Sequence, residues 1–355
     1  MREKGKTTFR YFARSPGSYR RRRRRSPSAQ TIATVLQILF VTFPFFALVL
    51  CGYVAASRRM LPLEAIAGLN GFVLFFALPC MLYRMGSSMP LARLLDGGVF
   101  LTWTLCALIT VALTIAISRN ARIGWNDASF GALVAAFPNT GFMGVPLLVA
   151  LLGASAAGPV ILTMLVDMVI TSSLCIALSR LDGADQHGAR KAARNALKGA
   201  ATNPLPWSIL LGALASVSQF ELPKPIMQTI GLLADAASPL ALFTIGAVLA
   251  RSQMLAKLQK HAPIPLRDYL PVAAIKLLLH PLLVLATGKA VIALGLPLSQ
   301  FALTVMVLAA ALPSASNVSL LAERFGADNG RIARIILLST AAAFLTFSLA
   351  VSLLT

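Results

Sequence analysis

Apolar residues run along this chain in stretches of about twenty, parted by short clusters of charge, glycine and proline. About twenty predominantly apolar residues are what a helix needs to cross the hydrocarbon core of a bilayer. Read from charge to charge, the pattern predicts spans over 35–57, 65–83, 97–118, 128–152, 157–178, 204–220, 225–249, 270–294, 301–322 and 335–355. Asp127 and Asp167 bound 39 residues without a charge, too many for one helix. Within them Gly153-Ala-Ser-Ala-Ala-Gly158-Pro159 is a turn signal that divides the stretch in two. The expected fold class is therefore an all-α polytopic membrane protein of ten transmembrane helices.

Composition agrees with that reading. Of 355 residues 57% are apolar and 12% charged, against about 45–50% and about 25% in soluble domains. Mean hydropathy is +0.77. The net charge of +20 splits evenly: residues 1–34 hold eleven Lys/Arg and one acid, and the remainder 21 Lys/Arg and 11 acids. Between the spans, sixteen basic residues fall on the side of the loop at 180–203 and four on the other. The positive-inside rule then makes that loop cytoplasmic and puts both termini outside.

The basic tail conflicts with this orientation, because the six consecutive arginines at 20–25 would have to cross the membrane ahead of the first span. It could contact anionic lipid or nucleic acid, or serve as a targeting segment, although it lacks a signal peptide's apolar core. The preferred expectation is a natural start near Val35 at a non-ATG codon, since no methionine occurs between Met1 and Met60. The segments expected are a basic, disordered tail at 1–34, a five-helix repeat at 35–179, the loop at 180–203, and a second repeat at 204–355.

Little in the chain suggests chemistry on a substrate. Cys51, Cys80, Cys106 and Cys175 each lie in an apolar stretch without a CxxC pair, and His187, His261 and His280 are scattered. That spacing suits neither a zinc site nor a disulfide framework. There is no P-loop, dinucleotide fingerprint or nucleophile elbow. The expectation is no enzyme, no metal, no cofactor and no nucleic-acid partner.

Two segments echo each other. Phe130-Gly-Ala-Leu-Val-Ala-Ala-Phe-Pro138-Asn139-Thr140-Gly141 resembles Thr304-Val-Met-Val-Leu-Ala-Ala-Ala-Leu-Pro313-Ser314-Ala315-Ser316-Asn317. Each is alanine-rich, reaches a proline and turns polar. Five spans per half invert the second half relative to the first, an arrangement characteristic of secondary transporters. Pro138 and Pro313 each remove an amide donor and obstruct a carbonyl four residues back. Pro146 is expected to break the fourth span again. Backbone groups freed in hydrocarbon cost several kcal/mol each, so such breaks persist only where protein or a wet cavity satisfies them. Two broken helices crossing at the midplane would bring Asn139, Thr140 and Gly141 to Ser314, Ser316 and Asn317. The half-helix ends there would suit a small anion. The plainer alternative is a pair of proline kinks glued by Asn and Ser.

Leu69-Asn70-Gly71-Phe72 with Leu78-Pro79, the run from Pro138 to Pro146, Asn203-Pro204, Ser238-Pro239-Leu240 with Ile245-Gly246, Lys276-Leu-Leu-Leu-His280-Pro281, and Leu312-Pro313 through Leu321-Ala322 together resemble the auxin efflux carrier family. That family includes plant PIN proteins and bacterial malonate and malate carriers, and the likeness covers about residues 35–355. The resemblance implies two inverted five-helix repeats whose broken helices 4 and 9 cross at the substrate, a homodimer, and elevator-like movement. It implies an organic-anion carrier of a bacterial inner membrane, with binding by Asn139, Thr140, Ser314, Ser316 and Asn317. The tail departs from the family pattern.

Ionisable groups within spans are costly and usually functional. Asp167 could bind a coupling proton or sodium ion, or pair with the Thr171 hydroxyl. Lys276 and His280 share a helix face, and Lys276 could attract an anion or neutralise Asp167. Two other functions fit the same pattern: a sodium-coupled carrier of larger amphipathic anions, like the bile-acid symporters, and a membrane sensor that binds its ligand without moving it.

Overall fold

The computed structural model describes residues 27–88, 96–181, 194, 204–258 and 264–354. Helix α1 (Pro27–Ser57) is followed by α2 (Ala65–Phe72), which passes through a π-helical turn at Val73–Ala77 into α3 (Leu78–Ser87). Asp96 caps α4 (Gly97–Ser118) by accepting Val99 N–H at 3.0 Å. Helix α5 (Trp125–Ala136) stops short of Pro138, and a π-helical turn at Thr140–Gly144 opens the segment that continues as α6 (Val145–Leu152). Helices α7 (Ala157–Val166) and α8 (Ser172–Leu178) are joined by a π-helical turn at Asp167–Thr171.

The second half runs α9 (Pro204–Ser218), α10 (Lys224–Leu258), α11 (Leu270–Ala274), a π-helical turn at Ile275–Leu279, and α12 (His280–Ala293). Ser299 caps α13 (Gln300–Ala311), and α14 (Asn317–Arg324) and α15 (Asn329–Leu354) close the chain. Among the described residues there is no strand, and six helices are long and apolar enough to cross a membrane. Four shorter apolar helices accompany them: Thr42–Ser57, Thr140–Leu152, Trp207–Ser218 and Gln300–Ala311. This is the make-up of a polytopic membrane protein.

Helices from the two halves pack in reciprocal pairs. Helix α1 lies along α10, and α3 lies along α9. Glycine permits both contacts. A methyl group at Gly52 would land on the Phe243 carbonyl, and one at Gly246 on the Val49 carbonyl. Gly86 meets Ile209 and Gly212, and Gly212 meets Tyr83, in the same way. Without a hydrophobic force between helices in lipid, close backbone approach at small residues is what holds them. Gly246→Leu is therefore expected to separate α1 from α10. The yield of monodisperse protein on size-exclusion chromatography should fall several-fold, an overpacking cost of roughly 1–3 kcal/mol.

Three boundaries differ from the sequence reading. Helix α1 begins at Pro27, inside the segment expected to lack structure, while the arginines at 20–25, nearly all of the 180–203 loop with His187, and His261 lie outside the described residues. Pro146 does not break the chain a second time. It sits in the first turn of α6, just after the wider π-helical turn, so the lost amide interrupts the hydrogen-bond ladder without ending the helix. Helix α15 begins six residues ahead of the predicted span and takes Arg331 and Arg334 inside it.

Arg331 is tolerated there because it is clasped. Its Nε donates to the Asp268 carbonyl at 2.7 Å and one terminal nitrogen to the Asp127 carbonyl at 2.8 Å. Asp127 accepts Asp328 N–H at 2.7 Å, Asp328 accepts Arg331 N–H at 3.0 Å, and Arg122 pairs with Asp268 at 2.8 Å. Gly131 lies directly against the guanidinium, where a Cβ would crowd it. The clasp binds the starts of α5, α11 and α15 at one end of the bundle.

Candidate functional site

Where α5 and α13 end, the two breaks meet. Asn139 N–H donates to the Pro313 carbonyl at 2.8 Å, and Ala315 N–H donates to the Phe137 carbonyl at 3.0 Å, so Pro138 and Ser314 form an antiparallel bridge. Each proline-interrupted segment thereby satisfies part of the other's exposed backbone. Ser314 N–H donates to Ser339 Oγ at 3.2 Å. Gly144 packs on Leu312, whose methyl carbon would lie 2.7 Å from a Cβ at position 144.

The bridge leaves several polar groups over. Among the described residues, the amides of Gly141, Phe142, Ser316 and Asn317 meet no acceptor. Thr140 Oγ1, Ser314 Oγ and Asn317 Oδ1 are buried without a partner in the protein. A pocket of about 320 Å³, its open mouth included, lies beside the bridge and is lined by Phe137, Pro138, Asn139, Gly141, Phe142, Ala315 and Asn317. Leu74, Leu78 and Leu205 form the wall on the α3–α9 side, and Met164 and Met168 line it from α7 and the π-helical turn after it. Of the predicted residues, Asn139, Gly141 and Asn317 reach the pocket. Thr140, Ser314 and Ser316 are buried in the crossing around it.

Asp167, Lys276 and His280 form a second polar centre, fully buried behind the crossing. Trp103 Nε1 donates to Asp167 Oδ1 at 3.0 Å, as does the Thr171 hydroxyl, the partner expected one turn on. Lys276 does not contact the carboxylate, although the two interact electrostatically. Its Nζ lies 3.2 Å from His280 Nδ1 and donates to the Ala310 carbonyl at 2.9 Å. It thus places a cation on the last turn of α13, where the helix dipole is negative. The Trp103 and His280 rings lie 5.3 Å apart. Asp167 Oδ2 and His280 Nε2 have no partner in the protein. Asp235, on α10, pairs with Arg84 at 2.8 Å in an exposed position.

Trp103, Ser339 and the Ala310 carbonyl were not visible to sequence reasoning. A tryptophan or serine in an apolar span carries no mark of its partner, and a backbone carbonyl none at all. The π-helical turns at Asp167 and Lys276 have no sequence signal either, yet such turns gather at functional positions.

Comparisons with known proteins identify the family of this polytopic membrane protein. Residues 37–351 match the membrane transport protein family, and the chain belongs to that family, the auxin efflux carriers. It is 29% identical over 305 residues to a Rhizobium meliloti protein named "Putative malonate transporter", covering 86% of this chain and 92% of that one. It is 27% identical over 298 residues to the "Uncharacterized transporter YfdV" of Escherichia coli K12, 79% of this chain and 86% of the other. An "Uncharacterized transporter" of Methanothermobacter thermautotrophicus is 28% identical over 311 residues, 86% and 93% of the two chains.

Proposed function

We propose that this chain is a secondary transporter that carries a small organic anion, a malonate- or malate-like carboxylate, by alternating access at the crossing. The observation that carries the reading is the backbone bridge between the two breaks, with unengaged amides at the starts of two half-helices beside it. Helix N-termini present partial positive charge and free N–H donors, which suit a carboxylate. Gly141, Phe142 and Asn317, whose amides are free, also line the pocket. The crossing contains no arginine or lysine, so recognition is by dipoles, amides and hydroxyls. The name of the Rhizobium meliloti relative favours malonate as the first substrate to try.

Ten spans in two inverted five-helix repeats underlie this mechanism. Inversion equates the first span with the sixth and the second with the seventh. The α1–α10 seam then maps onto the α9–α3 seam, and glycine-mediated approach at both supports the equivalence. The proposed setting is a bacterial inner membrane, with the 180–203 loop cytoplasmic, both termini outside, and a homodimer as the working unit.

The test is radiolabelled malonate counterflow in proteoliposomes, with malate and indole acetate in parallel. Asn139→Ala is expected to slow exchange at least about tenfold, the effect of losing roughly 1.4 kcal/mol of polar contact, while the protein stays monodisperse. Wild-type rates from that variant would move the site away from the crossing. Absence of exchange by the wild type across the panel would overturn the carboxylate reading.

A further inference from the structure

We infer that Asp167, Lys276 and His280, linked through Trp103, form a proton-binding site that couples proton movement to passage of the organic anion. The inference deepens the transporter reading and rests on it for the anion. The proton site itself rests on geometry.

The arrangement distinguishes a proton from a metal cation. A hard monovalent or divalent cation needs several oxygen ligands around it. Asp167 Oδ1 accepts from the Trp103 indole N–H and the Thr171 hydroxyl, Oδ2 has no partner in the protein, and the Lys276 ammonium acts on the carboxylate from further off. Among the described residues no three of His, Cys, Asp and Glu gather to hold a metal. Lys276 Nζ and His280 Nδ1 lie 3.2 Å apart, and an ammonium that donates across this contact requires a neutral imidazole with its hydrogen on Nε2. In its ionised form the unit holds one negative and one positive charge in a buried position, with Oδ2 open to a proton.

A proton taken up on Oδ2 forms an O–H bond and turns the carboxylate into a neutral acid. The Lys276 ammonium is then left uncompensated on the Ala310 carbonyl, two residues before Leu312 and three before Pro313 at the crossing. Met168, next to Asp167 in the same π-helical turn, lines the pocket. A net positive unit so close to the pocket favours an anion there, through a Coulomb term that low dielectric strengthens. Reciprocally, a bound anion favours the proton, and the two must be coupled in binding by the same factor. Release of both on the far side returns the unit to neutrality.

Other ionisable groups on the packed elements are Cys175 on α8 and Cys106 on α4, the latter three residues beyond Trp103. Asp127, Arg331 and Arg334 are held at the helix ends in and beside the clasp, and Lys289 is exposed near the far end of α12. Neither thiol is hydrogen-bonded to the Asp167 carboxylate among the described contacts.

Trp103 gives a readout that needs no transport. In purified full-length protein, tryptophan fluorescence titrated from about pH 4 to pH 9 should show a transition that is lost in both Trp103→Phe and Asp167→Asn, and malonate should shift its midpoint. In proteoliposomes, malonate entry should acidify a lumen loaded with a pH dye. Asp167→Asn should lose acidification, with the protons taken up per malonate moved falling to background whatever the residual malonate rate. Should that variant not fold, D167N with K276Q removes both charges and should likewise lose the Trp103 transition and the acidification. No transition assignable to Trp103 and Asp167, or acidification that survives Asp167→Asn, overturns the proton site. A transition present in a protein that moves no carboxylate overturns the transporter reading and leaves the proton site standing.

Discussion

Arg331→Met should lower the melting temperature of the detergent-solubilised protein by roughly 5–15 °C, following a loss of about 3–5 kcal/mol. The guanidinium is 2% exposed and serves the carbonyls of Asp127 and Asp268 at once. Three carboxylates, those of Asp127, Asp268 and Asp328, act on it electrostatically. Removing the cation leaves both carbonyls short of a donor and strips Asp127 and Asp328 of their nearest counter-charge. Arg122 still compensates Asp268 in part. Arg331→Lys should recover less than half of the loss, because one ammonium cannot reproduce a planar fork that reaches two acceptors. A melting temperature unchanged within about 1 °C would show the clasp to be ornamental.

Gly144→Val should abolish most malonate exchange, more than about tenfold, in protein that still inserts. At that position a side chain meets the Leu312 methyl group, so the fourth-span half-helix is pushed off the segment that carries Pro313 and Ser314. Overpacking of this kind costs about 1–3 kcal/mol. Leu312 is a side chain and not backbone, so shortening it should relieve the clash. The pair Gly144→Val with Leu312→Ala is expected to regain a large part of both stability and exchange. A non-additive cycle of this kind marks direct contact. If the double variant is no better than the single one, the fit against Leu312 is not what glycine provides at 144, and the neighbouring Thr140 side chain and Asn139 carbonyl set the limit instead.

The sequence carried the breaks well and their partners poorly. Pro138 and Pro313, each followed by Asn or Ser in an apolar stretch, announce that a ladder must fail there, because a missing amide is a local fact. That Asn139 N–H finds the Pro313 carbonyl is a tertiary fact, legible only as a likeness between the two segments. Charge marks the span end at Asp96 but not at Arg331, whose guanidinium is held by carbonyls 63 and 204 positions away. The same reasoning placed Thr171 beside Asp167 correctly, since one helical turn is a sequence distance. It also put His280 beside Lys276, again one helical turn apart, and missed only the Ala310 carbonyl. The side chain reaches Ala310 and His280, and a broken helix's need for a cation at its carbonyl end is apparent only once α13 is known to stop at Ala311.

The reciprocal seams also set a timetable for synthesis. Gly52 must wait for the α10 surface around Phe243 and Gly246, and residues 137–139 must wait for Pro313 and Ala315, the second interval being about half of the chain. At roughly 5–20 residues per second, the segment interrupted at Pro138 waits on the order of 10–35 s before its complement is made. Neither half can reach its final packing on its own. The α3–α9 seam can close first, the α1–α10 seam next and the bridge last, so a chain that stalls before Pro313 is expected to leave an opened ladder that lipid cannot satisfy, a substrate for quality control.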